Sequence, residues 1–243
     1  MCPETKQRLI RFQAHVRGFL VRRADKLSGI YYPPSLSTTI TQHSLGTTKQ
    51  RAIQYKSLKL LLHIEQKYLG HLKILIDEYL TPCRQLCKGN KKKLKKLDSI
   101  FINVESVYEY HLGFFKLIEN YFDQWPVCQG IGKAICGRLL EFQFYEKYVN
   151  NIPFSKSAFH EMSKEKNSLT TLIKDINSKR KDAWDDPHHV YRDFRTLLKL
   201  PLKHLQQYKS PLKVLLYTNL SLCYECFINC ITEINDFDSG ESS

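Results

Sequence analysis

Residues Ala52 to Pro82 read AIQYKSLKLLLHIEQKYLGHLKILIDEYLTP, with no Gly or Pro before Gly70. Leu58, Leu61, Leu62, Tyr68, Leu72, Leu75, Ile76, Tyr79 and Leu80 recur at the i, i+3, i+4, i+7 spacing of one helical face, so the stretch predicts one long helix. Every seventh residue gives Leu58, Glu65, Leu72 and Tyr79, which places a carboxylate in phase with the buried stripe. An unpaired buried Glu is costly. Glu65 must therefore be paired internally, held neutral, or left uncovered for a partner to bind.

The same periodicity continues outward. Leu97 to Tyr121 carries Ile100, Phe101, Val104, Val107, Tyr108, His111, Phe114, Phe115 and Ile118 on a second apolar face, with Asp98 or Ser99 as N-cap. His111 lies on that face, where a single histidine reads as a hydrogen-bonded core residue. A third helix is expected from about Pro126 to Asn150, and a further amphipathic helix within Ile152 to Asn177. The polar run 178–189 is expected to be a loop. Another helix is expected from Tyr191 up to Pro201, and long apolar periodicity from Leu205 to Asn235 closes the chain. The expected fold is all-α, an elongated bundle of long helices preceded by an N-terminal amphipathic helix.

Composition agrees with a packed domain. The 243 residues are 42% hydrophobic and 12% aromatic, with only 10 Gly and 9 Pro. The net charge of +13 is uneven: residues 1–51 hold 9 Lys/Arg and 2 Asp/Glu, a net +7, and the remaining 28 and 22 give +6. That concentration points to an acidic partner for the N-terminal segment rather than to a nucleic-acid surface. Lys91, Lys92, Lys93, Lys95 and Lys96 read as a solvated loop, with a phospholipid contact as the lesser alternative. No run approaches a membrane span, and the first residues lack a signal peptide's apolar core, so a cytoplasmic location is expected, with recruitment to membrane or cytoskeleton as an option. The eight cysteines are then expected to be free thiols. Cys83/Cys87 and Cys223/Cys226/Cys230 have metal-like spacing, but helical phase makes them core thiols. No metal or cofactor is expected, and no nucleophile–base or ligand set stands at a spacing an enzyme could use.

Glu4 to Leu27 forms a basic amphipathic element, with Phe12, Val16, Phe19 and Leu20 flanked by Arg11, Arg17, Arg22, Arg23 and Lys26. Such a helix suits a calmodulin-like groove or an anionic membrane surface. It resembles the IQ motif through Phe12, Gln13, Arg17, Gly18 and Arg22, which implies capture by calmodulin or a related light chain. The alternative is a basic helix docked on its own domain. Residues 28–51, with Pro33-Pro34 and many Ser, Thr and Gly, read as a linker, so the expected units are 1–27, 28–51, 52–237 and an acidic tail, 238–243.

Four blocks in order resemble the Dbl homology domain of Rho-family guanine-nucleotide exchange factors. IEQKYLGHLKIL matches the opening block. IFINVESVYEYHLGFFKLI matches the second through Phe101, Asn103, His111, Phe114 and Leu117. FQFYEKYVNN matches the third through Tyr145, Tyr148 and Asn150. LLKLPLKHLQQYKSPLKVLL matches the fourth through Leu197, Leu198, Pro201, Leu205 and Tyr208, and ITEIND matches the end. The resemblance implies exchange on a Rho-family small GTPase, without covalent chemistry or cofactor. By position it implies that Glu65 accepts hydrogen bonds from the first switch, while Gln207 and Asn235 engage the second. Glu65 is then expected to face an open groove, so that Glu65→Ala leaves the fold intact.

The fourth block departs from the family pattern. Lys203-His204 replaces Gln-Arg, Gln207 replaces a cation, and Pro211 is expected to interrupt a helix that should continue. The segment from Tyr208 to Asn235 is several residues short of the family norm, and the pleckstrin homology domain usual after it is not expected within these residues. A second reading is therefore a helical scaffold that binds a small GTPase or calmodulin without exchanging nucleotide.

Overall fold

A computed structural model describes residues 48–125, 131–139, 143–164, 168–184 and 191–216. Every regular element among them is helical: α1 (Thr48–Ile74), a π-helical turn (Leu75–Leu80), α2 (Thr81–Leu86), α3 (Lys91–Phe101), α4 (Val104–Asp123), α5 (Ile131–Leu139), α6 (Gln143–Lys164), α7 (Ser168–Asp182), α8 (Phe194–His204), a 3-10 turn (Leu205–Tyr208) and α9 (Lys209–Leu216). None of these helices is long and apolar enough to cross a membrane.

The opening stretch forms the expected helix, and its apolar stripe is the spine of the core. Leu58, Leu61, Tyr68, Leu72, Leu75 and Tyr79 are all buried. The helix starts at Thr48, inside the expected linker, and runs through the π turn into α2 without a break. α1 packs chiefly on α4 and α9, whose Val107, Phe114, Ile118, Leu212 and Leu216 complete the core. α3 lies on α6, where the Ser155 hydroxyl donates to the Ile100 carbonyl at 2.5 Å. Cys83 and Cys87 are buried free thiols, and burial pushes Cys83 up to about 12.

Several boundaries differ from expectation, each for a local reason. Lys91–Lys96 is not a loop but the start of α3. Asn90, not Asp98 or Ser99, is the N-cap, its side chain accepting from the Lys93 N–H at 3.0 Å. The lysines stay on the solvent side, and Gly89 with φ +85° makes the preceding turn. The expected Leu97–Tyr121 helix is two helices, broken where Ile102 takes φ 56° and ψ −126°. α7 continues to Asp182, through the first part of the expected 178–189 loop.

Neither proline ends its helix as expected. Pro201 lies within α8, and the Leu198 carbonyl beside it accepts from the Tyr148 hydroxyl at 2.6 Å. The chain tightens into the 3-10 turn before Pro211, so this proline falls in the first turn of α9, where its missing N–H has no intrahelical role. The IQ-like helix, the rest of the linker, Cys223, Cys226, Cys230, Asn235 and the acidic tail lie outside the described residues.

Candidate functional site

Glu65 is the centre of a closed polar cluster, not an open acceptor, and this corrects the expectation of an exposed groove residue. It has no solvent exposure. His111 on α4 donates from Nδ1 to Oε2 at 2.9 Å, and His204, the last residue of α8, donates from Nε2 to Oε1 at 2.8 Å. Two imidazole donors satisfy both carboxylate oxygens, which is the internal pairing that the misplaced carboxylate in the stripe required.

The tautomers follow from these bonds. In the neutral imidazole a donating Nδ1 leaves Nε2 of His111 as the acceptor, and the Tyr145 hydroxyl then donates to it at 2.6 Å. The Tyr68 hydroxyl lies 3.3 Å from that of Tyr145 and supplies the next proton in the chain. Tyr208, one turn beyond His204, sets its hydroxyl 2.9 Å from His204 Nε2 and 3.4 Å from His111 Nδ1. Tyr68 also stacks on His204, with ring centroids 3.5 Å apart and planes 14° apart, and meets His111 edge-on.

Burial alone would push the Glu65 carboxyl up, but the facing histidines outweigh it and hold the group below the ordinary carboxylate range. Burial pushes the His204 imidazole down to about 4 against the pull of Glu65. The two shifts agree on an ionised Glu65 facing a neutral His204. Burial raises Tyr68 and Tyr145 well above the ordinary phenol range, so both remain donors at neutral pH.

Each of the four sequence blocks contributes to this cluster: Glu65 and Tyr68 from the first, His111 from the second, Tyr145 from the third, His204 and Tyr208 from the fourth. His204 was legible only as a departure from a pattern. Its one available signal is its phase with Pro201, Tyr208 and Leu212 on the buried face of the fourth block. Gln207 is exposed on the 3-10 turn whose other side carries buried Tyr208, so it is not part of the cluster.

A second polar junction braces the opposite end of the spine. The Asn177 side-chain oxygen accepts from the Tyr79 hydroxyl at 2.7 Å and from the Phe194 N–H at 3.1 Å, tying the π turn, α7 and α8 together. Arg180 donates to Tyr79 at 3.0 Å and pairs with Glu78 at 2.7 Å. These groups satisfy one another and read as scaffold.

The ordered blocks and the bundle they build have counterparts among known proteins. The human Rho guanine nucleotide exchange factor 4 is 29% identical over 94 residues, which is 38% of this chain and 13% of that protein. The fold is similar to the linker-DH/PH domains of p115-RhoGEF, with a TM-score of 0.63 and 14% identity over 78% of this chain and 57% of that one. It is also similar to the DH/PH domains of PDZ-RhoGEF in complex with GTP-gamma-S activated RhoA, with a TM-score of 0.58 and 13% identity over 79% of this chain and 53% of that one. The chain thus spans about an eighth of that human relative's length. Residues 58–237, most of the chain, match the RhoGEF domain, and the chain belongs to that family.

Proposed function

We propose that this chain is a guanine-nucleotide exchange module for a Rho-family small GTPase. The observation that carries the proposal is the family match across residues 58–237, in which the blocks occur in order and fold into the bundle of known exchange domains. The structure similar to this one that holds activated RhoA supports the class of partner. Exchange of this kind needs no nucleophile or metal chemistry. The module binds the nucleotide-free GTPase best and shifts the population toward it.

In this reading Gln207 and Asn235 meet the second switch and Glu65 the first. Gln207 stands ready on an exposed turn. Glu65 reaches a switch backbone only by exchanging its two imidazole donors for the partner's N–H donors, so engagement includes opening of the cluster. That requirement, with the neutral Gln207, supports the second reading, a GTPase-binding scaffold with slow or no turnover. Release of fluorescent GDP from a panel of Rho, Rac and Cdc42-type GTPases separates the two. Acceleration with at least one supports exchange. Binding with no acceleration for any of them sinks it.

The N-terminal segment is the proposed regulatory element, supported by Phe12, Gln13, Arg17, Gly18 and Arg22 at the defined positions of the IQ pattern. Its partner is calmodulin or a calmodulin-like light chain. Replacing Arg17 and Arg22 by Glu removes capture on calmodulin resin; capture left unaltered by that change, in calcium and in chelator, rejects the assignment. The basic faces of the same segment and of α3 are the proposed contacts for an anionic membrane.

A further inference from the structure

We propose that Glu65, His111, His204 and Tyr208 form a closed zinc site at the centre of the bundle. A carboxylate and two imidazoles are a usual zinc donor set, and their ligand atoms lie within 4.8 Å of one another, all buried. The Tyr208 hydroxyl supplies a fourth donor, 2.9 Å from His204 Nε2 and 3.4 Å from His111 Nδ1. The donors come from α1, α4, α8 and the 3-10 turn, parts of the chain as far apart as positions 65 and 208.

The spacing is close to what the ion needs. Bonds of about 2.0–2.1 Å in a tetrahedron separate neighbouring donors by about 3.3 Å. The short pairs here, at 2.9 and 2.8 Å, run one to each Glu65 oxygen, so these two pairs spread by roughly half an ångström as the ion replaces the shared protons, with the carboxylate turning to present its oxygens. The proton balance closes without release to solvent. Each imidazole, in its neutral form, moves its proton to its other nitrogen, freeing Nδ1 of His111 and Nε2 of His204 as ligands. The displaced His111 proton, now on Nε2, is donated to Tyr145, whose hydroxyl turns to Tyr68.

The surroundings are those of a metal centre. Tyr145 orients His111 from behind, and Tyr68 holds the His204 ring by stacking. A dication also offsets the charge of the fully enclosed Glu65 carboxylate. Four protein donors leave no open position, so the ion is structural. It occupies Glu65, so bound zinc and a switch contact by Glu65 exclude each other.

The full chain, refolded with zinc and dialysed against metal-free buffer, tests this. Expected are one retained zinc per chain, a raised melting temperature, and, after refolding with cobalt, a tetrahedral visible spectrum without an intense thiolate band. Glu65→Gln and His204→Gln should lose all three. Tyr208→Phe keeps the ring in place and should weaken zinc binding by about tenfold, which keeps the test open should the first two not fold. A wild-type chain that retains no zinc overturns the site. So does undiminished zinc in His204→Gln, or a thiolate–cobalt band, either of which would assign the ion to the eight cysteines.

Discussion

Glu65 shows how one residue takes on a structural task when it falls in a buried stripe. Its carboxylate is wholly enclosed, and its two oxygens are matched by His111 and His204. Glu65→Ala therefore does not leave the fold intact. It strands two buried imidazole N–H groups, and the expected loss is about 3 kcal/mol. The urea midpoint measures it, and a midpoint equal to wild type would mean that the cluster relaxes. Exchange by that variant has to be measured well below its melting temperature, or instability will imitate a lost contact. The sign of the pH dependence also follows. His204 titrates near 6.5 when unfolded and is held down to about 4 when folded, so the unfolded chain binds the extra proton between those values. In the metal-free protein, stability is full above pH 6.5 and falls by on the order of 3 kcal/mol as pH drops toward 4. Glu65, also lowered, adds a loss in the same direction below its ordinary value of 4.5. Melting temperatures across pH 4–7 in chelator should show the decline, and His204→Gln should flatten it.

At the scale of elements, the chain relies on local devices that periodicity does not encode. The helix break at Ile102 is the clearest, because a β-branched residue there holds a positive φ that favours glycine. Ile102→Ala loses packing and keeps the strain, whereas Ile102→Gly relieves the strain. The glycine variant should be the more stable of the two by about 1 kcal/mol, the reverse of the usual helical order. Thermal melts of both settle the sign. The apolar faces of α1, α4 and α8 were legible because burial repeats at helical spacing. The start of α3 and the continuation through Pro201 were not. A run of lysines reads as solvated whether or not it is helical, and apolar spacing does not tell a proline that ends a helix from one carried within it.

For the whole molecule, Gln207 is the residue on which the exchange reading turns most directly. It is exposed, so Gln207→Lys should leave the melting temperature unchanged. If the second switch docks there, the restored cation should speed GDP release by roughly fivefold, equivalent to about 1 kcal/mol. An unchanged rate with an active GTPase would place the docking surface elsewhere. The all-helical class, the long spine and the family of the domain followed from sequence alone, because helical spacing and the order of four blocks are properties of a chain read in one dimension. The positions of His111 and Tyr145 could be read the same way, but not what they touch. Only the tertiary structure decided that Glu65 is enclosed. Its partners come from residues 46 and 139 positions away, and a carboxylate in an apolar stripe has the same sequence whether histidines or a GTPase backbone supply its protons.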